Sequence, residues 1–244
     1  MRADVFGVPL DLLTMDETVA RCVELIEESR PVQHVVINAG KVVMMRDVPG
    51  LRDVIAGCDV VNADGQSIVW AGRVLGVPVP ERVAGIDLMH RLLAEAESRA
   101  WPVYFLGARQ EVLEACVGRV RDMHPHLEIA GMRNGYFDAD DAVAAEIAAC
   151  GARVLFVGIS SPRKEWFLAE QLKSMGSVFA MGVGGSFDVI AGLTARAPRW
   201  MQRVGLEWLY RLLQEPRRMW KRYLVGNSRF LLLTYSEWRR RRRR

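Results

Sequence analysis

Residues 60–70 read VVNADGQSIVW. The apolar pair Val60 and Val61 belongs to a β-type run that ends in Asn-Ala-Asp-Gly, and apolar residues return after Gln66 at helical spacing, so a strand turns directly into a helix here. Asp64 stands at that turn. Asp and Gly both tolerate unusual backbone angles, and a carboxylate in this place can cap the helix that begins near Gln66. Strand-to-helix loops are equally where α/β proteins collect their working residues.

The same alternation extends in both directions. Thr14 with Glu17 is a capping-box signature for a helix to about Ser29, and VQHVVINA follows as a strand. A short helix near residues 49–56 leads into CDVVNADG, and another covers roughly 66–75. Downstream come the helix GIDLMHRLLAEAESRA, the strand PVYFLGA, the helix QEVLEACVGRVRDM and the strand LEIAGM. A helix around 140–149, the strand ARVLFVGI, a helix from Pro162 and the strand SVFAMGVG complete the series. Such an order predicts an α/β, Rossmann-like, mostly parallel sheet with helices on both faces and a ligand at the carboxyl ends of its strands. The loops at those ends are INAGK, NADGQS, LGAR, GMRNGYF, GISSPRKE and GVGGSFD. Glycine placed directly after an apolar run lets backbone N–H groups approach a phosphate closely. GVGGSF is not GxGxxG, and no GxxxxGK[ST] occurs, so neither a dinucleotide fold nor a P-loop is supported by motif.

Half of the 244 residues are hydrophobic and a quarter charged, ordinary values for a soluble globular protein. No window reaches the roughly 18 uninterrupted apolar residues of a membrane span, and MRADVFGVPLDLL lacks the apolar core of a signal peptide, so a cytosolic protein is expected. Cys22, Cys58, Cys116 and Cys150 are widely spaced without a CxxC, which points to buried free thiols. Among the histidines, His34, His90, His124 and His126, only the last two lie close together, in a polar turn that suits adventitious metal binding at most.

Charge is unevenly distributed. Residues 196–244 hold 15 Lys and Arg against 3 Asp and Glu, a net +12, and residues 1–195 hold 18 against 26, a net −8. We therefore read residues 1–195 as an α/β domain and residues 196–244 as a helical, basic appendage, broken at Pro216 and Gly226. Its Trp, Tyr and Leu residues are interleaved with arginines. A helix with an aromatic-apolar face and a basic face suits an anionic membrane surface, where each basic group adds about 1 kcal/mol of attraction. The plainer reading is a helix packed on the main domain with a solvated Arg tail. Nucleic acid is not an expected partner, because no recognised nucleic-acid module accompanies the arginines.

Taken together, NADGQSIVW, ERVAGIDL, GYF, GISSPRKEW, GVGGSFDVIAG and RAPRWMQRVGLEWLYRLLQEPRRMWKRY resemble the WecG/TagA/CpsF family, glycosyltransferase family 26, from about residue 8 to about 224. The resemblance implies a metal-independent, inverting transferase without a cofactor. It would move a sugar, such as N-acetylmannosamine, a hexose or a uronic acid, from a UDP donor to a sugar on undecaprenyl diphosphate, in cell-wall or exopolysaccharide synthesis. It also implies a cytoplasmic enzyme peripheral to the inner face of the cell membrane, and it admits a homo-oligomer.

Residue by residue, the resemblance makes Asp64 the general base that takes the acceptor hydroxyl's proton, and Arg82 of ERVAG a donor-site cation, with a salt bridge to Glu81 as its structural alternative. Asn38 and Ala39 at the first strand end, Gly65 and Gln66 beside Asp64, and Gly107 of the LGAR loop fall in its substrate loops. Tyr136 of GYF together with Gly182, Gly184, Gly185 and Asp188 matches the region expected to hold uridine and ribose; as structural alternatives, Tyr136 is a rim aromatic and Asp188 a helix cap. Arg163, Lys164 and Glu165 fall in a stretch the family writes Pro-Lys-Gln-Glu, so a neutral amide is a cation here, which either meets donor diphosphate or a uronate carboxylate or lies on the exposed side of a helix start. Val36 stands where the family often has threonine. In the appendage, Arg211, Arg217, Arg218 and Arg222 match the family's C-terminal block and are expected to reach diphosphate or lipid head groups. The DxD of FDADDA is read as the acidic start of a helix, not as a metal site.

Overall fold

A computed structural model describes residues 1–243 and, within them, every side chain except those of Arg203, Arg218, Met219, Lys221 and Arg222. Its strands are β1 (Arg2–Val5), β2 (Val8–Asp11), β3 (Val32–Ile37), β4 (Val60–Ala63), β5 (Val103–Gly107), β6 (Ile129–Arg133), β7 (Val154–Gly158) and β8 (Phe179–Gly182). The last six form one parallel sheet in the order β4-β3-β8-β7-β5-β6. Its inner strands β5, β7 and β8 are apolar on both faces, and successive residues point to opposite sides. Phe105, Phe156 and Met181 thus join one core with helices Met15–Glu27, Gly85–Ser98 and Gln110–Met123. Leu106, Leu155 and Ala180 face the other way, against helices Asp140–Ala149 and Arg163–Gln171. Helices on both faces of a parallel sheet are as the alternation predicts.

The crevice between β3 and β8 decides where a ligand can sit. Beyond β3 the chain enters helix Ala39–Asp47 on one face; beyond β8 it enters helix Ser186–Ile190, whose Phe187 and Ile190 join the opposite core. Neighbouring strands whose connections leave in opposite directions open a gap at their carboxyl ends. Helix Ala39–Asp47 itself is not legible in INAGKVVMMRD. Lys41, Val42, Val43 and Met45 are all buried, so the segment has no polar face and no amphipathic period. The hairpin of β1 and β2 also escapes the sequence, since its turn uses Phe6 and Gly7 at φ 58° and 80° and not an Asn-Gly or Asp-Gly pair.

The basic segment forms helices Arg199–Arg203, Glu207–Gln214, Pro216–Trp220 and Gly226–Arg241. Pro216 and Gly226 open helices instead of interrupting one, and the interruptions fall at residues 204–206 and at Glu215. Proline has no N–H to lose in a first turn, so it starts a helix as readily as it stops one. Helix Gly226–Arg241 packs Phe230, Leu233 and Trp238 on the core beside helix Ala39–Asp47. There Arg229 clasps Asp47 through two bonds of 2.5 and 2.7 Å. The same helix leaves Leu231, Leu232 and Tyr235 exposed. No helix among the described residues is long and apolar enough to cross a membrane. The four cysteines are free thiols, three of them buried.

Candidate active site

A cleft of about 1750 Å³ lies over the carboxyl ends of β3, β4, β7 and β8, and residues of the basic segment line it from above. The strand-to-helix turn after β4 carries Asp64 into it. The Asp64 N–H donates to the Ile37 carbonyl at 2.8 Å, tying the turn to the end of β3. Gly65 follows at φ 108°, a backbone region that only glycine enters freely, and starts helix Gln66–Val74 with no side-chain cap. Asp64 therefore does not cap that helix. Loss of hydration in the cleft floor pushes its carboxyl up to about 6, a rise that Arg82, Arg211 and Lys41 oppose and Glu207 reinforces.

Arg82 does not pair with Glu81, which instead accepts the Met15 N–H. Its guanidinium reaches into the basic segment, donating to Glu207 Oε2 at 2.8 Å and to Gln202 Oε1 at 3.4 Å. One ion pair thus joins the α/β body to the roof beside Asp64. Arg196 and Arg211 line the same space, with Arg196 held by two 2.6 Å bonds to Asp87.

On the far side of the β3 and β8 crevice, Lys164 and Glu165 are buried, so Lys164 does not lie on an exposed helix start. Within the chain it meets Glu165, whose Oε1 lies 3.2 Å from Lys164 Nζ and 2.7 Å from Lys41 Nζ. Burial by itself would raise the Glu165 carboxyl; the two ammonium groups and the Ser161 hydroxyl overcome that and hold it well below the usual carboxylate range. The trio of two cations and one anion keeps one net positive charge, and both lysines line the cleft. The Lys164 stem crosses Gly182 so closely that a Cβ there would lie 2.7 Å from Lys164 Cε.

The structure brings together most of the residues singled out in the sequence. Asn38, Ala39, Gly65, Gln66, Asp64, Arg82, Tyr136, Arg163, Lys164, Gly182, Gly184, Gly185, Asp188 and Arg211 all line the cleft, as does Val36. Asn38 is also the N-cap of helix Ala39–Asp47, accepting the Lys41 N–H at 3.0 Å. Tyr136 is 74% exposed at the rim, and Asp188 lies in the first turn of helix Ser186–Ile190. Arg163 is tied to the Phe137 carbonyl at 2.5 Å, with its guanidinium over the Phe137 ring.

Gly107, Glu165 and Arg217 are not in the lining. Gly107 at φ 118° packs against β7, where a Cβ would fall 2.7 Å from the Gly158 carbonyl carbon, so its glycine serves strand packing. Glu165 sits behind the lysines, and Arg217 is exposed. The Arg218 and Arg222 side chains lie outside the described residues. Asp138 and Asp140 are also absent from the lining; Asp140 opens its helix and lies 3.5 Å from Arg163. Sequence reasoning missed Lys41, Arg196 and Glu207. Lys41 was visible as the last residue of INAGK, whereas Glu207 looks like any exposed helix-start acid until the basic segment folds back.

The chain matches the model of the Glycosyl transferase WecG/TagA/CpsF family over residues 3–244. It is also similar to the N-acetylglucosaminyldiphosphoundecaprenol N-acetyl-beta-D-mannosaminyltransferase of Bacillus spizizenii, 37% identical over 176 residues that cover 72% of this chain and 68% of that protein.

Proposed function

Because the chain belongs to the WecG/TagA/CpsF family of glycosyl transferases, we propose that it transfers a sugar from a UDP donor, with inversion, to a sugar on undecaprenyl diphosphate at the cytoplasmic face of the membrane. The observation that carries this reading is Asp64 on the floor of the cleft, its carboxyl raised to about 6 while cations surround it. A base with that proton affinity is ionised at neutral pH and still basic enough to accept a proton in the transition state. The acceptor hydroxyl attacks the anomeric carbon from the side opposite UDP. As the new C–O bond forms, its proton passes to Asp64, and the electrons of the breaking C–O bond go to the departing diphosphate.

Arg211 and the net charge of the Lys41–Glu165–Lys164 trio supply positive potential for that diphosphate, and Arg82 and Arg196, held by Glu207 and Asp87, add N–H donors, which supports metal-independent chemistry. The glycine loops after β7 and β8, with Tyr136 at the rim and Asp188, suit the uridine end. The relative's name favours N-acetylmannosamine as the sugar moved and N-acetylglucosaminyl-diphosphoundecaprenol as its acceptor. The exposed apolar residues of helix Gly226–Arg241 and its arginines suit an anionic bilayer. A screen of UDP-N-acetylmannosamine, UDP-hexoses and UDP-uronates against a short-chain lipid-diphosphate acceptor, read by product mass, tests the reading. One product with inverted anomeric configuration, formed at least about a hundredfold more slowly by Asp64→Asn, supports it; no transfer from any UDP-sugar defeats it.

A further inference from the structure

Helix Gln66–Val74 begins two residues after Asp64, and the cleft follows one face of it. Gln66, Ser67, Trp70, Ala71 and Val74, spaced three and four apart, all line the cleft. The first two are polar and the last three apolar, so the lining changes chemistry along the helix as it leaves the carboxylate. Met44 of helix Ala39–Asp47 and Leu231 of helix Gly226–Arg241 also line the cleft. Trp70, Val74 and Leu231 are 49%, 54% and 66% exposed. Isolated exposed apolar side chains need no explanation, but several gathered along one arm of a functional cleft mark a binding surface.

The order of chemistry along the arm identifies the occupant. An acceptor with its hydroxyl at Asp64 must pass from sugar to diphosphate to hydrocarbon, and along the helix the lining runs from Gln66 and Ser67 to Trp70, Ala71 and Val74, with Arg211 close enough to Asp64 to lower its pKa. We infer that this arm receives the first units of the acceptor's isoprenoid chain, drawing them off the bilayer into the protein. The inference rests on the lipid-diphosphate acceptor proposed above. A nine-residue helix is about 13 Å long, room for the proximal part of such a chain and not the whole of it. The remainder would leave past Leu232 and Tyr235, which are exposed on helix Gly226–Arg241.

Calorimetric binding of farnesyl diphosphate and of inorganic diphosphate to the full chain tests this without sugar transfer. The expected result is that farnesyl diphosphate binds at least about tenfold more tightly, as burial of a short hydrocarbon requires. Trp70→Ser and Val74→Asp, which both alter half-exposed side chains, should each abolish that preference and leave UDP binding and thermal melting unchanged. Equal binding of the two diphosphates by the native chain overturns the inference. So does an unchanged preference in Trp70→Ser, or a variant that loses UDP binding in parallel. Loss of vesicle co-sedimentation by Trp70→Ser with the farnesyl preference intact would make the arm a membrane-contact surface and likewise overturn it. If the native chain shows the farnesyl preference but transfers no sugar, the glycosyltransfer reading fails and the isoprenoid site stands.

Discussion

Replacing Asp64 by Asn should cut turnover steeply and make the protein more stable. The folded protein raises this carboxyl from the ordinary 3.8 to about 6, so the native state holds the proton more tightly than the unfolded chain does. Below about pH 4 the group is protonated in both states and costs nothing. Between pH 4 and 6 the unfolded chain releases the proton first, and the native state becomes progressively disfavoured; above about 6 the full cost applies. The rise is worth about 3 kcal/mol at most, and the partial access of Asp64 to water reduces the expected gain for Asn to about 1–3 kcal/mol at pH 8. At about 2–4 °C per kcal/mol for a chain of this size, melting should rise by several degrees. Turnover should fall by about 10²–10⁴-fold, the usual contribution of a positioned base. The assay pairs urea or thermal unfolding of both proteins at pH 4, 6 and 8 with product mass at saturating donor. Convergence of the two stabilities at pH 4 and separation at pH 8 is the expected result. An Asn variant that is less stable at pH 8, or whose advantage does not change with pH, refutes the reasoning, because the carboxylate would then not be paying a desolvation cost.

Glu207→Gln removes a charge that helps hold the Asp64 carboxyl up, so the acid limb of kcat/KM against pH should move below its native position near 6; movement upward would contradict the arrangement. Glu165→Gln takes the shared carboxylate from two lysines each 7% exposed and should cost about 3–5 kcal/mol in urea unfolding, with a loss under 1 kcal/mol counting against the buried trio. Asp138→Asn with Asp140→Asn should leave turnover unchanged in EDTA and in manganese, and a manganese-dependent loss would place a metal at the start of helix Asp140–Ala149.

Much of this molecule was determined locally. The strands β3, β4, β5, β7 and β8 are short apolar runs ended by glycine, asparagine or aspartate, and the helices between most of them carry a one-sided apolar period, so the sequence alone specified a parallel sheet with ligand loops at its carboxyl ends. The turn that carries Asp64 was legible in its neighbours, but the residues alone left a helix cap and a working carboxylate equally open there, and only the family resemblance made Asp64 the expected base. What only the tertiary structure decided is which distant groups meet. Helix Ala39–Asp47 is buried along most of its length and shows no period, Lys164 finds its counter-charge through a partner shared with Lys41, and Arg82 pairs with an acid 125 positions away. Periodicity and capping act over a few residues, whereas an ion pair depends on through-space distance. The Arg82–Glu207 pair beside Asp64 exists only once the basic segment folds back over the sheet.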